Sequence, residues 1–271
     1  MWKVIAAFSI LFTLTCCTQM QNTSIPEDWE HYMSEFDGMP GSITVNLALK
    51  DKNIQERYPI QVSFNLPISP CRPDGLSDGD ALDKAAIEED RILSDLQMPG
   101  RKMVSVGTFT YNCERRLYYY FENANQLEEQ LQALLSAYPA ETTDLTVLED
   151  KQWDAYSDFL YPNDYHYQQI MNNRVMAQLL DAGDNPDLPR ILEHFLYFKT
   201  EADRTSAADE AVANHYRLFA QEFIDQEYPY SLGVAFQAPL HDVHSQSYYL
   251  MDLARKYNGD YDGWGCTVTN E

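Results

Sequence analysis

Two runs of strict alternation near the start of the chain limit its architecture more than any other feature. Ile43, Val45, Leu47 and Leu49 alternate with polar or small residues, and so do Ile60, Val62, Phe64 and Leu66. Successive side chains of a strand point to opposite faces, so each run is a strand with one face in a core. The charged connector Lys50 to Arg57 between them predicts a hairpin. Ahead of these strands Trp29, Tyr32 and Phe36 recur at helix-like spacing, until Asp37-Gly38 and Pro40-Gly41 break the chain.

The same reading carries forward. After a loop rich in Pro, Asp and Gly from Pro67 to Gly79, Leu82, Ala85, Ala86, Ile92, Leu93 and Leu96 share one helix face, with Glu88, Glu89 and Asp95 opposite. A second hairpin runs from Met103 to Tyr111 and from Arg116 to Glu122, turning at Asn112 to Arg115. A helix follows from about Asn125, and Leu145 to Leu148 reads as a closing strand. The order β-β-α-β-β-α-β gives an α+β sandwich with helices on one face of a mainly antiparallel sheet. Tyr118, Tyr119 and Tyr120 are split between faces by alternation and read as strand packing. Trp153, Tyr156, Phe159 and Leu160 form the apolar side of a short helix ending at Tyr161-Pro162, where this first domain, residues 26–162, closes.

A second domain, residues 166–271, opens with a helix from Tyr167 to Asp181, stopped by Gly183 and Asn185-Pro186. Ile191 to Phe198 is a strand. Glu201 to about Gln226 reads as one long helix with Val212, Tyr216, Phe219, Phe223 and Ile224 inward. Leu232 to Ala238 is a strand, Ser247 to Tyr257 the last helix and Trp264 to Val268 the last strand. Asn258-Gly259 suits the left-handed residue that ends a helix. Gly263 and Gly265 remove side chains on either side of Trp264, which predicts close approach of another backbone and an indole anchored against the last helix.

The run Tyr261-Asp262-Gly263-Trp264-Gly265 after an amphipathic helix, with Glu193-His194-Phe195 on an earlier strand, resembles the bacterial regulator of ribonuclease E activity B. The resemblance covers roughly the last hundred residues. It implies a ferredoxin-like β-α-β-β-α-β sandwich and a non-catalytic regulator that binds a protein. That family carries an acidic hairpin between its two helices; here Gln226 to Ser231 leaves room for only a reduced one, which puts contacts through that hairpin in doubt. The first domain, with Trp29 near its start and Trp153 through Pro162 near its end, is similar to an uncharacterised bacterial domain family found ahead of such modules, and this likeness implies no activity.

At the N-terminus Met1-Trp2-Lys3 and the apolar run Val4 to Leu14 read as a signal peptide over residues 1–16, too short to span a bilayer. Leu14-Thr15-Cys16-Cys17 looks like a lipobox with Cys17 as the acylated residue, and residues 17–25 are a tether, which gives an envelope protein held on a membrane by lipid alone. Cys71 and Cys113 are candidates to pair in such an oxidising compartment, and Cys266 reads as a buried free thiol. Charge bears on partners. Lys plus Arg number 19 against 42 Asp plus Glu, a formal −23 with no basic stripe, so nucleic acid is not expected as a direct partner.

Chemistry is sparse. His241 and His244 stand three apart without the context of a metal site, and no metal or other cofactor is expected. Glu193 and His194 are the one adjacent acid and base, and an envelope hydrolase using them is the alternative of a different class. Alternation sends the two to opposite faces and favours a structural, hydrogen-bonded His194. A cytoplasmic ribonuclease E inhibitor is the other alternative, should the apolar start not act as a signal.

Overall fold

In the computed structural model, which describes residues 25–96, 102–136 and 144–270, the chain builds two antiparallel sheets joined by one helix. The first sheet contains β1 (Trp29–Phe36), β2 (Met39–Asn46), β3 (Ile60–Pro67), β4 (Met103–Tyr111), β5 (Glu114–Phe121) and β6 (Thr146–Glu149), in the spatial order β1-β2-β4-β5-β3-β6. Its helices are α1 (Lys52–Arg57), α2 (Gly79–Leu96) and α3 (Leu127–Leu135). The helix-like start is a strand: Tyr32 and Phe36 are four apart, a spacing that satisfies a two-residue period as well as a helical turn, and pairing with β2 decides between them. The expected hairpin between the two alternating runs does not form. β2 pairs with β1 and β4, β3 pairs with β5 and β6, and Leu47 and Leu49 leave the strand for a buried 3₁₀ turn.

Both faces of this sheet are covered, where helices on one face were expected. Tyr118 and Tyr120 join Tyr32, Ile43, Val45 and Val106 on one side; Tyr119 joins Val62, Phe64 and Leu117 on the other. On Tyr119's side lie Ile92 of α2 and Leu127, Leu131 and Leu135 of α3. Ala86 points outward and Glu89 is ion-paired, so neither keeps its expected place. The side chains of Leu82, Leu93 and Leu96 lie outside the described residues. On Tyr118's side a π-helical turn, Ala155–Leu160, brings in Tyr156 and Leu160 behind Trp153. Trp153 is fully buried, stacks on Tyr120 at 4.0 Å and donates its indole N–H to the carbonyls of Tyr58 and Gln55. Asp150 completes this centre, accepting the Tyr120 hydroxyl at 2.6 Å and the backbone N–H of Asp154 and Ala155.

Helix α4 (Asp164–Asp181) belongs to both halves. Its Ile170 lies in the core of the first sheet, and Arg174 is paired to Asp28 and Glu30 beside β1. The second sheet follows as β7 (Arg190–Phe198), α5 (Glu201–Ala213), β8 (Arg217–Phe223), β9 (Tyr230–Ala238), α6 (Val243–Lys256) and β10 (Gly259–Gly265), ordered β10-β7-β9-β8. This is the ferredoxin-like β-α-β-β-α-β arrangement. The long helix is not there: it stops at Asn214, and His215 takes a left-handed φ of 71°. The hairpin read as reduced is complete, with β8 paired to β9 from Arg217 to Phe223. Phe219 and Phe223 mimic a helical stripe by spacing, but as an edge strand they are exposed, and only Tyr216 of the expected inward set is buried.

Candidate functional site

The inner face of the second sheet is set by β7, where Arg190, Leu192, His194, Leu196 and Phe198 alternate inward and are all buried. Helix α5 lies on this face through Ala207, Ala208 and Ala211, and α6 through Leu250, Leu253 and Ala254. The last strand begins five residues before its expected start and contains most of the signature. Asn258 takes the left-handed conformation that ends α6, and β10 pairs with β7 from Gly259. Close approach is required at Gly259, where a Cβ would sit 2.5 Å from the Phe198 ring and 2.6 Å from the Tyr197 carbonyl oxygen. Gly263 and Gly265 meet open space instead. Gly263 serves its backbone, φ 127°, at a bulge that leaves Asp262 unpaired between Tyr261 and Gly263.

The bulge sets both aromatics of the signature to work on one buried hydrogen-bonded chain. Trp264 donates its Nε1–H to Asn172 Oδ1 at 2.8 Å, and Asn172 Nδ2 donates to Ser247 Oγ at 3.3 Å. Ser247 meets the Tyr261 hydroxyl at 3.2 Å, Tyr261 donates to His194 Nδ1 at 2.9 Å, and His194 Nε2 reaches Gln246 Oε1 at 3.1 Å. Burial holds the imidazole down at about 4, so it is neutral at physiological pH, with its proton on Nε2 toward Gln246. Burial pushes the Tyr261 phenol well above its ordinary range, which keeps it a donor. Both ring nitrogens of His194 are thus occupied, and Asn172 and Ser247 each hold more than one polar neighbour. Glu193 lies on the outer face, opposite Gly265 and Ala235, so the adjacent acid and base do not make a catalytic pair.

Trp264 is half-buried; its indole is tied to α4 through Asn172, and it packs against the buried cluster of Leu192, Ala238, Leu240 and Val243, the last of these on α6. Above the chain is a cleft of about 520 Å³ lined by Tyr167, Met251, Tyr261, Gly263 and Trp264, with the Asp164–Arg255 ion pair at its rim. Sequence reading missed Asn172, Gln246 and Ser247. The signal was available for the last two, since they are polar residues on the buried stripe of α6.

Cys71 and Cys113 are joined in a disulfide, Cα to Cα 5.5 Å, that ties the loop after β3 to the β4–β5 turn. Cys266 is free and half-buried just beyond β10, and Cys17 lies outside the described residues. His241 is exposed and His244 contacts Asn172. Among the described residues no three His, Cys, Asp or Glu side chains come together to hold a metal.

The fold and this site define a protein of two α+β units, the second a ferredoxin-like sandwich fastened by a buried polar chain. Residues 169–266 match the family model described as regulator of ribonuclease activity B, and residues 27–161 match one described as a family of unknown function (DUF695). The chain therefore carries a ribonuclease-regulator B domain behind a DUF695 domain. No curated protein matches it. A crystal structure of an unknown protein from Galdieria sulphuraria aligns over 77% of this chain and 98% of its own, at 11% identity and a TM-score of 0.23.

Proposed function

We propose that this chain is a lipid-anchored protein of the bacterial envelope whose second unit is a non-catalytic, protein-binding regulator. The observation that carries the reading is the outer face of the four-stranded sheet, which no helix among the described residues covers. Phe195 and Phe219 meet there edge to face at 5.7 Å, 36% and 40% exposed, beside Ile191 at 40%. Clustered exposed apolar side chains on a soluble domain mark a place where a partner sits. Glu193 and Glu222 share this face with Arg217, which leaves it one acidic group in excess, and the whole chain is acidic, which favours a partner carrying positive charge. The match to a regulator family supports a binding role, and the occupied nitrogens of His194 speak against the hydrolase.

Anchoring rests on the apolar run Val4 to Leu14 with Cys17 three residues on, and the Cys71–Cys113 disulfide suits an oxidising compartment. No helix among the described residues is long and apolar enough to cross a membrane. Fatty-acid labelling should disappear in Cys17→Ser; label that persists would move the modification elsewhere. For the regulator itself, the full chain is recovered from its own envelope with bound proteins, beside a Phe195→Ser, Phe219→Ser double variant. We expect a specific partner to be lost from the variant with the melting temperature unchanged, and retention of every partner would sink the outer-face reading. A cytoplasmic ribonuclease inhibitor is the second reading, favoured by the family match alone.

A further inference from the structure

The helices on the Tyr119 side of the six-stranded sheet pack over β5, β3 and β6, and over β1, β2 and β4 the same face changes character. Where Val62, Phe64, Leu117 and Tyr119 lie under helices, the continuing cross-strand pairs are Thr44 with Thr108 and Ser42 with Thr110. A groove of about 680 Å³ runs along this half, lined by Trp29 and by Glu89 of α2, with Ile25, Met103 and Val104 adding apolar surface.

Its interior is organised more tightly than a wetted sheet face. Arg115 donates Nε and Nη2 to Glu89 Oε2 at 3.0 and 2.9 Å and Nη1 to Thr110 Oγ1 at 3.2 Å; the side chains of Arg115 and Glu89 are only 13% and 15% exposed. A guanidinium held at three nitrogens is a fixed donor plane, and Glu89 Oε1 remains as an acceptor beside it. Thr108, 4% exposed, lines the groove, and its buried hydroxyl has no hydrogen-bond partner among the described residues, a cost that a bound polar group would relieve. Trp29 presents an exposed indole, flat and apolar with a polar edge.

We infer that this groove is a binding site for a neutral saccharide segment. Hydroxyl groups both donate and accept, which matches an Arg–Glu pair standing next to an unpartnered threonine. The apolar face of a sugar ring matches the indole. The charges lining the groove cancel, Glu27 and Glu89 against Lys102 and Arg115, so neither a phosphate nor a basic peptide is selected by charge.

Maltotetraose, cellotetraose and chitotetraose are titrated calorimetrically into the full chain in detergent. At least one should bind, Trp29→Ala should weaken it at least tenfold, and Trp29→Phe should restore most of the loss. Thr108→Val should weaken binding several-fold while leaving the melting temperature equal or higher, since it removes an unpartnered hydroxyl without changing shape. Absence of binding by all three sugars, or binding indifferent to Trp29→Ala, overturns the inference. So does binding of an acidic or basic peptide in their place.

Discussion

The two sheets of this protein treat their faces differently. The six-stranded sheet has apolar cores on both sides, with Trp153 and Tyr120 stacked against one and Tyr119 and Phe64 buried in the other. The four-stranded sheet has one core, and its inner surface is interrupted by polar groups that satisfy one another from Trp264 to Gln246. A sheet buried on two sides gains stability from area. A sheet buried on one side keeps a free face for another molecule and must fix its single core by other means. Here a hydrogen-bonded chain running through α4, α6, β7 and β10 does so. The first unit should therefore fail by loss of packing, the second by loss of a proton acceptor or donor.

The largest effect tests the first half of that contrast. Trp153 has no exposed surface and two carbonyl partners, so Trp153→Ala should cost about 3 to 5 kcal/mol, the range for deleting a buried large aromatic. Segment-resolved hydrogen exchange would locate the loss in β2, β5 and the Ala155–Leu160 turn, with β7 and β9 retained. Equal loss in both sheets would mean that α4 couples them into one cooperative unit and that the contrast is one of composition only.

Acid comes next, and it should act more on the second unit than on the first. His194 is held at about 4 against an ordinary 6.5 by burial, so the unfolded chain takes up its proton first as pH falls. Stability from this residue is complete above pH 6.5 and is lost as pH drops through that value toward 4, by about 3 kcal/mol at most. Burial also lowers His244, which touches the same Asn172, and it adds with the same sign; His31 on β1 and His166 of α4 are lowered by burial too, so the first unit shares part of the acid sensitivity. Exchange in β7, β10 and α6 should rise between pH 6.5 and 4.5, and His194→Gln should flatten the dependence. A slope unchanged in that variant would show that surface carboxylates set it.

How far such behaviour was legible in the sequence varies with the kind of signal. Strands with one or two apolar partners in register, β3, β4, β5, β7 and β9, announce themselves by alternation, and so does the division of Tyr118 to Tyr120 between faces. Segments that carry aromatics three and four apart do not. Trp29 to Phe36 and Tyr216 to Phe223 fit a helical period, and only pairing with a neighbour turns them into strands. His215 marked the break in the second case, but a left-handed histidine is not a signal that composition gives. The candidate site was half visible. Its aromatics and His194 stand in a recognisable run, whereas Asn172 is distant in sequence and is selected only by where α4 lies.

The smallest effect bears on that last residue. Trp264 is half-buried, packs against the cluster of Leu192, Ala238, Leu240 and Val243 and contributes one hydrogen bond to Asn172, which also accepts from Gln168 Nε2 at 2.9 Å. Removing the indole therefore leaves Asn172 Oδ1 with a partner, and the cost of an orphaned acceptor does not arise. Trp264→Ala should destabilise the second unit by about 1 to 3 kcal/mol, below the Trp153 change, from lost packing and one neutral hydrogen bond. Trp264→Phe separates the two terms, because it keeps most of the apolar packing against Leu192, Ala238, Leu240 and Val243 and removes the donor to α4. It should recover more than half of the loss if packing dominates. A Phe variant as unstable as the Ala variant would show that the hydrogen-bonded chain, and not the apolar contact, holds β10 to α4, and would extend the contrast between the units to this last strand.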